Sequence, residues 1–310
     1  MTENGGPHGP IAHGFPHLAT VRASITALHR RLSADGIRAY DTSLAPADAA
    51  FDADDDLHLG AQRVAAATVR ALQLPDARMV VSFRSMEQAA TVELAAGPEY
   101  FVEVNDRFRT HRRDLAAALS HEVAHVLLHR LDLRFPGTEE NEILTDTAAA
   151  YLGAGWLLLD AYREDALTHQ RFGYLTPEEF GYVLAKRAAL FGEDPSPWFT
   201  SPQAYEAYVR GRALAGRDHR RAPLAAAGPL ARRRYAKARR AGAGAGDAAA
   251  AAAAGAAGDG SAYRFERDGS GAGLLVSFPC PVCAQRLRVP VRGRLRARCG
   301  LCRTVLDCLT

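Results

Sequence analysis

His121-Glu122-Val123-Ala124-His125 sets two imidazoles four residues apart, with a carboxylate directly after the first. A helix advances about 100° per residue, so His121 and His125 point the same way, one turn apart. Two imidazoles on one face can hold a zinc ion. Glu122, turned about 100° from His121, reaches water beside the metal instead of the metal. Such a site needs a third protein ligand and keeps a fourth position for water. The spacing that continues to a third histidine fails, because Leu128 and Leu131 stand where its glycine and histidine would be. The other arrangement takes a carboxylate from the next helix. Glu142 in Asn141-Glu142-Ile143-Leu144-Thr145-Asp146 supplies it, with Glu139 and Glu140 as competitors. Asp146 shares a face with Glu142 and can accept a hydrogen bond from the far nitrogen of a ligand histidine, fixing its tautomer. His129 extends the same helix face and reads as a flanking residue.

A second pattern lies near the end of the chain. Cys280-Pro281-Val282-Cys283 and Cys299-Gly300-Leu301-Cys302 are two short knuckles separated by fifteen residues. Four thiolates so spaced make a closed tetrahedral zinc site, and the strand-like stretches around them describe a zinc ribbon. A module this small builds little core, so the metal is expected to hold it folded. Cys308 is left over as a spare thiol. Arg286, Arg288, Arg292, Arg294, Arg296 and Arg298 line the ribbon's strands. They either keep a thin ribbon in water or bind a phosphate backbone or an acidic protein surface. No interleaved aromatics suggest base stacking.

The elements that must position these residues follow from periodicity. Apolar residues at Leu18, Val21, Ile25, Leu28 and Leu32 predict a helix over 17–34, and 60–73 predicts another. The period then changes: 79–83, 90–94 and 100–104 read as strands. A long helix over 112–129 carries HEVAH. Thr138, with Glu139 and Glu140 in an acidic first turn, opens a helix to about 161. Thr176-Pro177-Glu178-Glu179 opens one to about 191, and a last covers 202–215. The basic run Arg232–Arg240 reads as a solvated flank of the Ala/Gly-rich stretch 241–260, a low-complexity linker. The reading is α+β: a disordered tail over 1–16, a minimal zincin-like domain over 17–216, a linker over 217–262, and the ribbon over 263–310.

Charge divides the same way. Residues 1–216 carry 20 Lys/Arg against 29 Asp/Glu, and 217–310 carry 18 against 6, a net of +12. All five cysteines fall in the last 31 residues, which reads as a metal site in a reducing compartment and not a disulfide scaffold. The polar start has no signal-peptide pattern and no apolar stretch is long enough to span a bilayer, so a soluble cytoplasmic protein without a membrane partner is expected.

HEVAH, a short connection and then NEILTD resemble the gluzincin class of zinc peptidases, whose Glu-x-x-x-Asp helix is matched by Glu142 and Asp146. The run YFVEVNDRF, AAALSHEVAHVLLH and ENEILTDTAAAYLG, over roughly 95–160, is more similar to the compact ImmA/IrrE-type peptidases, in which a strand ending in Val-Asn precedes the HExxH helix. The resemblance implies a zinc metallopeptidase that hydrolyses a peptide bond in a protein substrate. Zinc lowers the pKa of its bound water toward ~7 and polarises the carbonyl, while Glu122, as general base, takes the proton and returns it to the leaving amine. Thermolysin-like enzymes stabilise the oxyanion with a His and a Tyr from beyond the Glu helix; His169, Tyr162, Tyr174 and Tyr182 are the candidates. The alternative is a catalytically silent zincin-fold regulator that binds nucleic acid or protein through its basic ribbon; an intact Glu122 favours hydrolysis.

Elemental analysis should find two zinc ions per chain, one lost in His121→Ala and the other in Cys280→Ser. A single zinc lost in both variants, or none, would contradict two independent sites.

Overall fold

The computed structural model describes residues 11–51, 55–164, 169–244, 263–267 and 273–310; the side chains of His169 and of 242–244 are outside that description. Two compact units are present, one up to Ala213 and one from Leu214. The architecture is α+β. No helix among the described residues is long and apolar enough to cross a membrane.

The first unit opens with α1 (Leu18–Arg38), α2 (Pro46–Ala49) and α3 (Leu57–Ala71). Strands β1 (Arg78–Arg84), β2 (Ala90–Val92) and β3 (Glu99–Asn105) then form one sheet in the order β1-β3-β2, with β1 parallel and β2 antiparallel to β3. Alternation decides its two faces: Tyr100, Val102 and Val104 are buried while Phe101 points outward. Helices α3 and α4 (Leu115–Arg130) cover the buried face. Nearly every side of α4 is apolar and buried, from Leu115 to Ser120 and from Val126 to Leu128, so it is a core helix with no solvated stripe. Its two histidines at 121 and 125 are the gap in that coat. Helix α5 (Thr138–Leu152) packs against α1, α4 and α7 (Pro177–Phe191). Between them lie α6 (Trp156–Asp160) and the two-residue strands β4 (Arg163–Glu164) and β5 (His169–Gln170), and α8 (Pro202–His219) follows α7.

Three stretches differ from the sequence reading. The helix expected over 138–161 is two, α5 and α6, because Gly153 takes a left-handed conformation (φ +109°) that closes α5. Residues 11–16, expected in a disordered tail, include His13 and Gly14, which lie against the start of α7: the Gly14 N–H donates to Glu178 Oε2 at 3.1 Å and Thr176 Oγ1 donates to the Gly14 carbonyl at 2.7 Å. Expected linker residues are ordered as well. Helix α9 (Pro229–Gly244) spans the basic run, and Tyr235 packs its ring on Tyr263 and Phe265 at 5.0 and 5.3 Å. The charged residues hide an apolar face, Ala231, Tyr235 and Ala238, at helical spacing.

The second unit completes around that helix. Strands β6 (Arg264–Arg267), β7 (Leu274–Pro279) and β8 (Arg286–Pro290) make an antiparallel sheet, and β9 (Arg294–Arg298) pairs with β10 (Val305–Leu309). Leu224 bridges to Cys308, so the 222–227 segment is part of this body.

A Cβ at Gly153 would meet Ser43 Cα at 3.0 Å on top of the unfavourable φ. Gly153→Ala should therefore cost about 1–3 kcal/mol, read from the urea midpoint of the first unit's unfolding; an unchanged midpoint would show that the helix break tolerates a side chain.

Candidate metal centre

Packing α4 against α5 brings three lone-pair atoms together. His121 Nε2 and His125 Nε2 are 3.1 Å apart, and Glu142 Oε2 lies 3.2 Å from the first and 3.3 Å from the second. In a tetrahedral zinc site with bonds of about 2.0–2.1 Å, neighbouring ligand atoms stand about 3.3 Å apart. The triangle thus has the dimensions of one face of such a tetrahedron. Glu142 Oε2 is also buried without a hydrogen bond of acceptable geometry, although both imidazole nitrogens face it. A buried acceptor left in that state is costly unless a cation sits among the three atoms. The donor set fits zinc.

The far side of each imidazole fixes which nitrogen carries the lone pair. His121 Nδ1 donates to Asp146 Oδ1 at 2.9 Å, since a carboxylate only accepts. His125 Nδ1 stands 3.3 Å from Thr145 Oγ1, whose hydroxyl donates to the Asn141 carbonyl at 3.0 Å. The hydroxyl's proton being spent there, it accepts from His125. Both rings are held with Nε2 unprotonated toward Glu142 when a metal is bound. Thr145 is a supporting residue that the sequence reading passed over; its signal was its place three residues after Glu142, on the same helix face.

Asp146 is fully buried and does more than orient His121. Its Oδ2 accepts the backbone N–H of Tyr174 at 2.5 Å and of Leu175 at 3.1 Å, pinning the turn before α7 to the metal ligands. Gly173 lets that turn close. Its φ is +77°, and a Cβ there would stand 2.3 Å from Asp146 Oδ1.

Burial alone would drive the His121 pKa down; the hydrogen bond to Asp146 and the facing Glu142 carboxylate outweigh that and hold it well above the usual value. Burial likewise favours neutral Glu142, but the two imidazoles keep its carboxyl far below the usual carboxylate range. Glu122 is buried (6 % exposed), and burial pushes its carboxyl up; the two histidines pull it down and Glu142 raises it again. The histidine side chains keep 12 % and 17 % of their surface, so the triangle opens to solvent on one side.

Of the expected oxyanion donors, Tyr162 donates its hydroxyl to Glu164 at 2.5 Å and Tyr182 accepts from Arg22 Nε at 3.2 Å. Tyr174 lies where burial, then the charges of Glu142 and Asp146, raise its pKa and keep its hydroxyl protonated. His169 pairs through its backbone with Glu164 across β4 and β5, and its side chain lies outside the described residues. Glu139 and Glu140 belong to the first turn of α5 and are not in the metal-ligating group, nor is His129, which is exposed.

The second group is closed. Cys280 Sγ and Cys302 Sγ are 3.6 Å apart, as are Cys283 Sγ and Cys299 Sγ, and all four atoms lie within 4.8 Å of one another. These are free thiols, far beyond the ~2.05 Å of a disulfide and close to the ~3.8 Å that zinc–sulfur bonds of ~2.3 Å impose. The two knuckles have the same backbone design. Ala284 N–H donates to the Cys280 carbonyl and Arg303 N–H to the Cys299 carbonyl, both at 3.0 Å, with Ala284 and Arg303 at positive φ. Cys308 is buried away from the four; burial first, then Asp307, pushes its thiol up to about 11.

The chain matches no protein-family model, no curated protein and no solved structure. Both sites are therefore read from their own atoms: a half-open His121–His125–Glu142 group and a closed four-cysteine group, each compatible with zinc.

Asp146→Asn keeps the size of the side chain but weakens the hydrogen bond to His121. It should lower zinc affinity at the first site by about 10–100-fold, measured by chelator competition, with the four-cysteine site unaffected. Unaltered affinity would remove Asp146 from the metal centre.

Proposed function

We propose that this chain is a zinc-dependent metallopeptidase that hydrolyses a peptide bond in a cytoplasmic protein substrate. The observation that carries the reading is Glu122: a buried carboxylate on the helix turn between two histidines whose Nε2 atoms converge with Glu142 Oε2. His121, His125 and Glu142 would hold the metal. Zinc supplies Lewis acidity there, acidifying water and polarising a carbonyl.

The chain's own groups do the rest. Glu122 takes the proton of the attacking water on a carboxylate oxygen and returns it to the leaving amine nitrogen. Its burial raises its basicity for the first step and leaves a usable acid for the second. Asp146 and Thr145 hold the imidazole tautomers through both steps. Tyr174, protonated and anchored through its own N–H to Asp146, is the described residue best placed to donate to the developing oxyanion, with His169 as the other candidate. Five free thiols, four of them grouped, fit a reducing compartment.

The test is cleavage of a peptide library by the zinc-loaded chain, read by mass spectrometry. Glu122→Gln should keep both zinc ions and lose about 10²–10⁴-fold in rate. Tyr174→Phe should lose about 10²-fold or more in kcat with KM little changed. No cleavage by the zinc-loaded wild-type chain would overturn the peptidase and leave a zincin-fold regulator, and cleavage that survives Glu122→Gln would overturn Glu122 as the general base.

A further inference from the structure

The second unit carries 18 Lys/Arg against 6 Asp/Glu, and its structure shows how they are displayed. Helix α9 spends its apolar face on Tyr263 and Phe265, which leaves Arg232, Arg233, Arg234 and Lys237 exposed. One groove of this unit, with a volume of about 210 Å³, is walled by Arg232, Tyr235 and Arg239 of α9, by Pro223 and Leu224, and by Arg294 at the start of β9. No Asp or Glu side chain lines it. Arg239 donates to the Thr310 backbone oxygen at 3.0 Å, and Arg232 to the Ala225 carbonyl. Among the described residues no carboxylate pairs with Arg294. Buried inside the wall, the Tyr235 hydroxyl has no hydrogen-bond partner.

Arg294 joins this groove to a second feature. Strand alternation puts Arg294, Arg296 and Arg298 on one exposed face of β9, about 6.7 Å apart in steps of two residues. One carboxylate stands among them, Asp307, 3.8 Å from Arg296. The cations therefore run from α9 through the groove and along β9, with Asp307 the carboxylate beside Arg296.

We propose that this surface binds the phosphate backbone of duplex DNA, with one phosphate seated in the groove. The ligand class follows from what the surface has and lacks. The groove is smaller than the roughly 300–1,000 Å³ of metabolite pockets, so it suits a single anionic group. Arginine forks take phosphate oxygens two at a time. A protein partner would need a clustered aromatic anchor, yet the rings of Tyr235, Tyr263 and Phe265 are packed on one another, and Leu230 and Val305 are exposed on separate elements. Single-stranded RNA would need exposed rings for stacking, which a face of arginines lacks. Repeated donors with no base-reading groups fit sequence-independent contact to a duplex. This reading is independent of catalysis at Glu122.

Fluorescence anisotropy of a short labelled DNA duplex, titrated with the zinc-loaded full chain between about 50 and about 200 mM salt, tests it. Binding should be present at low salt and fall steeply as salt rises. In Arg232→Gln/Arg294→Gln, affinity should drop at least about 10-fold and the slope of log affinity against log salt should shrink by about 2, with both zinc ions retained. No binding at low salt, or an unchanged slope in the double variant, would overturn the proposal. Single-stranded RNA or polyglutamate binding as tightly as the duplex would overturn it too, assigning the surface to RNA or to an acidic protein.

Discussion

Three atoms that would each prefer water or a hydrogen-bond donor are held within 3.3 Å of one another at the contact of α4 and α5. Two imidazole nitrogens and a carboxylate oxygen at that distance need a shared positive charge, a proton on an imidazole or a metal cation among the three. The fold is built to keep them there. Helix α4 is buried along most of its length, so it cannot rotate its histidines toward solvent without exposing Leu119, Val123 and Val126. Helix α5 is closed by Gly153 and buried from Glu142 onward, which fixes the height at which its carboxylates face α4. The sheet serves mainly as the floor on which α4 rests.

Asp146 extends that constraint outward. One oxygen orients His121 and the other gathers two backbone N–H groups from the turn before α7. The turn that carries Tyr174 is thereby positioned by the same carboxylate that positions a metal ligand. Electrostatics separate the acidic residues by environment: Glu142 is held ionised by the imidazoles facing it, and Glu122, turned about 100° from His121 on the same helix, is pushed toward protonation by burial. Two neighbouring carboxylates thus have opposed pKa shifts.

Sequence spacing carried the site ligands because each depends on a short-range regularity. HEVAH and the Glu142–Asp146 pair are helix-face patterns, and the paired Cys-x-x-Cys knuckles are local turns. What spacing could not carry was contact between distant segments. Thr145 supports His125 only once α5 lies on α4, and Tyr174 becomes a site residue only through Asp146. The break at Gly153 was hidden inside a long apolar run that reads equally well as one helix. Helix α9 was hidden by its charge: Arg232–Arg240 looks solvated until Tyr235 is seen against Tyr263 and Phe265. The spacing around the cysteines marks strands near 274–278, 286–291 and 295–298, while β6 and β10 are hidden because their apolar positions are interleaved with Arg, Glu, Asp and Cys.

Zinc K-edge X-ray absorption on the zinc-loaded chain addresses the three-atom site most directly. Two sites of the kind described should give equal shares of sulfur neighbours at about 2.3 Å and nitrogen or oxygen neighbours at about 2.0–2.1 Å, with imidazole scattering that disappears in His121→Ala. A wild-type spectrum with sulfur neighbours alone would mean that His121, His125 and Glu142 hold no zinc, and the metal centre on α4 and α5 would be refuted.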